Sequence, residues 1–180
     1  VRLQERFIMS VIVGKRRRLA AGLFGRYFNT YFADNMANLT NPTNSEVRTE
    51  LNNYSVGTTD TWLFRGYFLP DTTSASWQFR TTSDDASYVW IGTDSTLADT
   101  SLDDDDAVVD NGGLHGSETR TSGQISLNAG QFYPFAVVIG NNNGPGVLTL
   151  QFRVNSGTWQ SDGAGYYFYN PFAPNGFNLE

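Results

Sequence analysis

The sequence predicts an all-β protein: an antiparallel β-sandwich of jelly-roll type, with an extended N-terminal arm and a C-terminal tail. Three observations carry that expectation. Aromatic residues make up 14% of the chain and recur in short alternating runs, such as Trp77-Gln-Phe79-Arg and Leu148-Thr-Leu150-Gln-Phe152. Such alternation is the period-2 pattern of a strand with one buried face. The connections are crowded with Gly, Asn, Thr, Ser and Asp, which build turns, and no long 3.6-period run of helix formers appears. A chain of 180 residues is long enough for one domain with a substantial core.

Residues 1–20 form the predicted arm. Phe7, Ile8, Val11, Ile12 and Val13 precede the basic run Lys15, Arg16, Arg17 and Arg18. Six basic residues against Glu5 give the arm a net +5, which leaves −11 on the remainder of a chain whose total is −6. A body this acidic argues against nucleic acid as a partner, because that needs a basic footprint on the folded surface. It suits cation binding and solubility. The basic run follows its apolar patch rather than preceding it, so the start does not read as a secretory signal. No apolar run approaches the roughly 18–20 residues of a membrane-spanning helix, so no membrane partner is expected.

The body is expected over residues 21–154. Leu23, Tyr27, Phe28, Tyr31 and Phe32 open it as a strand, with Gly25 allowing close approach. Residues 33–60 read as a long polar connection with one short helical turn near 46–51, and carry the sequon-like triplets Asn38-Leu-Thr and Asn53-Tyr-Ser. A strand over 61–68 ends at Pro70-Asp71. Residues 77–92 read as a hairpin, and its second strand, Tyr88-Val-Trp-Ile, looks covered on both faces. The acidic run 103–106 reads as a solvated loop leading to a short strand at 107–109, and Asn111-Gly112-Gly113 signals a turn. Further strands are expected over 123–127, 131–139 and 147–154. The tail, 155–180, is dense in aromatics, including Tyr166, Tyr167, Phe168 and Phe172. It either completes the sandwich or wraps a neighbouring chain. Exposed aromatics at that density are costly in a monomer, so Tyr166, Tyr167 and Phe168 join Lys15 to Arg18 as candidate partner contacts.

The residues that promise chemistry are Asp84 and Asp85, at the corner of the 77–92 hairpin. Neighbouring carboxylates repel, and on a regular strand they point to opposite faces. Converging them takes a special backbone, such as a non-proline cis peptide, and gives a hard cation such as Ca²⁺ the carboxylate oxygens it prefers. A solvated polar turn is the alternative reading. Gly140-Asn141-Asn142-Asn143-Gly-Pro-Gly146 can turn amide and carbonyl oxygens inward as further ligands, or serve as an ordinary hairpin turn. The chain has no cysteine, so thiolate chemistry and disulfides are excluded. His115 is the sole histidine, and no Gly-x-Ser-x-Gly elbow accompanies it. Adjacent carboxylates are also too close for a glycosidase pair. A non-enzymatic protein is expected.

Several landmarks arrive in a familiar order. They are Gly22-Leu-Phe-Gly-Arg-Tyr-Phe, Phe79-Arg-Thr-Thr-Ser-Asp-Asp with Val89-Trp-Ile-Gly, Asp110-Asn-Gly-Gly-Leu-His-Gly, Gly123-Gln-Ile-Ser-Leu-Asn-Ala-Gly-Gln-Phe-Tyr-Pro and Gly144-Pro-Gly-Val-Leu-Thr-Leu-Gln-Phe. On these the chain resembles the anthrax protective-antigen-type domain family, over roughly residues 21–154. The resemblance implies a β-sandwich. In yeast flocculins and related adhesins of this kind, it further implies Ca²⁺ held by a paired Asp through a cis peptide and bound to sugar hydroxyls. Asp84 and Asp85 match that pair. Asn141 and Asn143 lie in the loop that supplies further metal ligands, with Asn142 and His115 as ligand-binding candidates. Ala86 stands where the family usually has Gly, and the Asn loop lacks a Trp to stack on a sugar.

Two function classes follow. The first is a structural protein of a surface assembly, such as a phage virion component (capsid decoration, tail or fibre), whose partners are other chains of the assembly. The basic arm, the aromatic tail and the absence of a signal pattern favour it. The alternative is a calcium-dependent carbohydrate-binding adhesin module, with glycans as partners. The location expected is a virion or an extracellular surface.

Overall fold

The computed structural model describes residues 18–71, 75–92 and 102–173. Thirteen strands and two 3₁₀ turns follow in chain order among them. Strands β1 (Ala20–Ala21) and β2 (Leu23–Phe28) are followed by a turn at Met36–Asn38. Then come β3 (Asn44–Arg48), β4 (Tyr54–Val56), β5 (Asp60–Phe68), β6 (Ala75–Asp84) and β7 (Ser87–Ile91). A second turn at Asp104–Asp106 precedes β8 (Val109–Asn111), β9 (Glu118–Thr121) and β10 (Ile125–Leu127). The series closes with β11 (Tyr133–Asn141), β12 (Gly146–Val154) and β13 (Tyr167–Tyr169).

The strands form two antiparallel sheets, the sandwich that the alternating runs predict. The eight-stranded sheet is ordered β1-β13-β5-β11-β7-β8, and β2 pairs with β5 and β3. The five-stranded sheet is ordered β10-β6-β12-β4, with β9 also on β6. On β6, Trp77, Phe79, Thr81 and Ser83 are buried while Gln78, Arg80, Thr82 and Asp84 face outward. Leu148, Leu150 and Phe152 of β12 point into the same core. Phe68 of β5 meets Trp77, Phe79 and Phe152 at ring-centroid distances of 5.1–5.3 Å, all edge to face. That geometry sets the positive ring edge against the negative face.

The central strands of the eight-stranded sheet, β5, β11 and β7, are buried on both sides, which is why β7 lacks polar alternation. Val89, Val137 and Ile139 face the central core. Tyr88, Trp90, Ala136 and Val138 pack on the opposite side with Phe28, Phe32 and Leu102. The helical turn expected near 46–51 is absent. Residues 44–48 form β3, because the open edge of β2 takes Asn44 to Arg48 in antiparallel register, and pairing there overrides local helix propensity.

The tail belongs to the sandwich as far as Tyr169. β13 pairs with both β5 and β1, with Tyr167 opposite Phe68 and Ala20 opposite Tyr169. Tyr167 is 1% exposed and packs on Phe135 and Phe152. This corrects its assignment to a partner surface: a core ring has no face to offer another chain. Tyr166 and Phe168 are half-buried, Tyr166 stacking on Phe68 and Phe168 edge-on to Phe132. Of the basic run, Arg18 is exposed, and Lys15, Arg16 and Arg17 lie outside the described residues.

Candidate functional site

The β6–β7 corner, the β11–β12 loop and the loop after β8 converge at one end of the sandwich. Asp84 closes β6, Ser87 opens β7, and the Asp84–Asp85 peptide bond between them is cis. The buried hydroxyls of Ser83 and Ser87 hydrogen-bond across the corner at 2.7 Å, and Asn111 Nδ2 donates to Ser83 Oγ at 2.8 Å. Asp85 is only 8% exposed. Its Oδ1 accepts the His115 backbone N–H at 2.9 Å and its Oδ2 accepts that of Asn142 at 3.0 Å. One carboxylate thereby ties two loops together.

Asn141, the last residue of β11, is fully buried. Its Nδ2 donates to the carbonyls of Gly57 (2.9 Å) and Gly144 (2.7 Å). Its Oδ1 is buried and has no hydrogen-bond partner among the described residues, an arrangement that is costly for a polar atom unless something else satisfies it. Gly146 fixes the spacing. A β-carbon there would stand 2.8 Å from Asn141 Cγ and 2.9 Å from the Asp84 carbonyl oxygen. Only glycine lets this amide and the Asp84 main chain approach so closely. Asn142 and Asn143 stand exposed on the loop, and of Asn142 it is the backbone that reaches the Asp pair.

The His115 ring is turned into its own loop. Nδ1 lies 2.8 Å from the Gly116 carbonyl and Nε2 lies 3.2 Å from that of Asn111. Burial pulls the imidazole pKa down, but the two carbonyl acceptors, with Glu118 and Asp85, bring it above its ordinary value. A ring flanked by two acceptors satisfies both only when protonated. His115 is therefore placed as a clip whose backbone serves Asp85, and beside it Leu114 is 63% exposed.

Three supporting residues escaped the sequence reading. Asp34, at a positive φ of 56°, accepts from the Tyr88 hydroxyl (3.0 Å) and from the Gly113 N–H (3.2 Å). Thr58 and Thr59 donate to the carbonyls of Gly144 (2.9 Å) and Asn142 (3.1 Å), propping the Asn loop. The only signal for Asp34 was its residue type, since Asp tolerates positive φ. Acidic side chains crowd this end. Burial first, then the carboxylates of Asp34 and Asp85, push the Tyr31 phenol up to about 12.

Among the described residues there is no cluster of three or more His, Cys, Asp or Glu side chains suited to a metal. The set at this corner is instead two carboxylates and one orphaned amide oxygen. All are hard oxygen donors, which suit Ca²⁺ better than a transition metal.

Comparison with solved structures shows the same fold in several proteins. Epithelial adhesin 6 A domain from Candida glabrata, in complex with Galb1-3GlcNAc, aligns with TM-score 0.64 and 15% identity, over 84% of this chain and 88% of that one. A PA14 sugar-binding domain from an RTX adhesin aligns with TM-score 0.61 and 16% identity, over 83% and 99%. An anti-sigma factor domain-containing protein from Clostridium clariflavum aligns with TM-score 0.63 and 21% identity, over 92% of this chain. The chain spans 52% of that protein's length. No curated protein matches. The resemblance to the anthrax protective-antigen-type family is corrected by the family comparison, in which the GLEYA domain model matches residues 61–154, from the start of β5 to the end of β12. That stretch is just over half of the chain and contains the Asp84–Asp85 corner and the Asn loop. The chain belongs to the GLEYA domain family.

Proposed function

We propose that this chain is a carbohydrate-binding module of adhesin type, with Asp84, Asp85 and Asn141 holding a Ca²⁺ ion that glycan binding requires. The observation that carries the reading is the buried, unpartnered Oδ1 of Asn141, held against the Asp84 main chain by Gly146. When bound, Ca²⁺ would supply coordination positions that sugar hydroxyls can occupy. The chain's own residues do the rest. Asp85 fastens the 112–117 and 141–145 loops, Thr58 and Thr59 support the second of them, and the exposed Leu114, Asn142 and Asn143 rim the site. The sugar complex of the adhesin 6 domain and the sugar-binding RTX domain support this reading. They favour it over a virion component, for which the comparisons offer no support. An adhesin module would work at an extracellular or cell surface. No helix among the described residues is long and apolar enough to cross a membrane.

The module is non-enzymatic in this reading. The sole imidazole is engaged by two carbonyls, and Asp84 and Asp85 sit side by side rather than across a substrate.

Thermal unfolding with calcium and with excess chelator tests the cation. A ligand at a hundredfold its Kd stabilises by about 2.7 kcal/mol, which raises Tm by roughly 5–10 °C in a domain of this size. Asp84→Ala is expected to remove that difference. Identical wild-type curves in calcium and in chelator would leave only the polar-turn reading of the corner.

A further inference from the structure

The outer face of the five-stranded sheet carries two arginines that the calcium corner does not use. Arg80 on β6 and Arg153 on β12 project from the same face, each set against a glutamine on the neighbouring strand. Arg80 Nε donates to Gln151 Oε1 at 2.8 Å, while Arg153 Nε and Nη2 donate to Gln78 Oε1 at 3.0 and 2.8 Å. Both guanidinium carbons also lie over the Trp159 ring, at 4.2 and 4.4 Å from its centroid. Trp159 is brought there by the bridge between Gln160 and Phe152. These amide and ring contacts fix the orientation of both guanidiniums. They leave the Nη groups of Arg80 and Nη1 of Arg153 without a hydrogen bond among the described residues.

No carboxylate among the described residues balances this pair. Arg48 and Arg120 are matched to Glu46 and Glu118, whereas Arg80 and Arg153 make no ion pair among the described residues. Repulsion from Arg153, after burial, lowers the Arg80 pKa. Two like charges held together and half-buried in a chain of net charge −6 are an uncompensated arrangement. The nearby outward residues, Thr82, Thr119, Thr121 and Thr149, are neutral hydrogen-bonding groups. Arg presents a planar fork of donors that matches carboxylate or sulfate oxygens two at a time.

We infer that Arg80, Arg153, Gln151 and Trp159 form a second binding site, for the sulfate or carboxylate group of an acidic saccharide. Arg80 lies about 14 Å along β6 from Asp84, four residues at roughly 3.4 Å each, and the site needs no metal. Its saccharide class rests on the carbohydrate-binding function proposed above, but its anion chemistry does not.

Calorimetric titration of the full chain in excess chelator tests it, with three probes: a sulfated heparin-derived oligosaccharide, a carboxylated hyaluronan oligosaccharide and neutral lactose. At least one acidic probe is expected to bind, with affinity that falls as salt rises, and lactose is not. The sulfated and carboxylated arms tell the two anions apart. Arg80→Gln with Arg153→Gln should weaken the acidic probe at least tenfold. Arg80→Lys with Arg153→Lys keeps the charge but not the fork, and should weaken it several-fold, so this pair decides if the first variant does not fold. No binding of either acidic probe by the wild type, or equal binding by both folded variants, overturns the inference. Lactose binding that appears only in calcium, with no acidic binding in chelator, overturns this site and leaves the calcium reading standing. Acidic binding in chelator without any calcium-dependent sugar binding does the reverse.

Discussion

Gly146 shows how little room the calcium corner leaves. A methyl group there would meet Asn141 on one side and the Asp84 carbonyl on the other, both well inside van der Waals contact. Gly146→Ala is therefore expected to fold, since the clash is confined to one loop end, but to lose the stabilisation by calcium predicted for the wild type. A full calcium response in that variant would show that the Asn141–Asp84 spacing is irrelevant. Glu46 offers a separate reading of residue-level electrostatics. Burial raises its pKa, but hydrogen bonds from Arg48 and Tyr54 and the Arg48 charge outweigh that and hold it below the ordinary carboxylate value. A depressed folded pKa stabilises above the unfolded value, near 4.5, and that stability is lost as pH falls through the folded pKa. Glu46→Gln should therefore cost stability at neutral pH, by less than about 1 kcal/mol for a pair this near the surface. It should narrow the gap to wild type below pH 4. An unchanged gap from pH 7 to pH 3, measured by denaturant titration, would contradict this.

At the scale of strands, the sequence was most readable where one face is buried and the other is wet. β6 and β12 alternate over their length. β12 is expected over 147–154 and runs from Gly146 to Val154. β6, whose apolar alternation ends at Arg80, continues through Thr81, Thr82 and Ser83 to Asp84 because it is paired there with β12 and β9. β9 was not expected, because Glu118-Thr-Arg-Thr carries no apolar residue and owes its strand to pairing with β6. β3 was misread for a similar reason: Glu46, Arg48 and Leu51 suit a helix, and only the open edge of β2 makes that segment extended. The tail is the instructive case. Its aromatics suggested either completion of the sandwich or a neighbouring chain, and composition alone does not separate the two. Tyr167 now makes a prediction at this scale. Removing a fully buried ring costs about 3–5 kcal/mol, so Tyr167→Ala should lower Tm by at least roughly 6 °C. Truncation before β13 should do more, since it also uncovers β5. A truncated chain with wild-type stability would mean that β13 is not part of the cooperative unit.

For the whole molecule, the two sheets act as a scaffold that brings distant segments to one end. Asp84 and Asp85 were legible as an unusual pair at a corner, and Asn141 as part of an oxygen-rich loop. What supports them was not legible. Asp34, Thr58 and Thr59 come from the long 33–60 connection, where they resemble any other polar loop residue. The pairing of β5 with β11, which sets Asp60 opposite Asn141, and that of β4 with β12, which sets Val56 opposite Gly146, carry Thr58 and Thr59 to the Asn loop. The family match spans both halves of the corner, and the solved adhesin domains share the fold. The central claim is that this end of the sandwich binds sugar through calcium. Its most direct test is binding of the full chain to an array of neutral glycans, in calcium and again in excess chelator, with Asp84→Ala alongside. The account predicts a signal in calcium that chelator abolishes and that the variant lacks in both conditions. A signal that survives chelation, or a folded wild-type chain that binds no glycan in calcium, would contradict it.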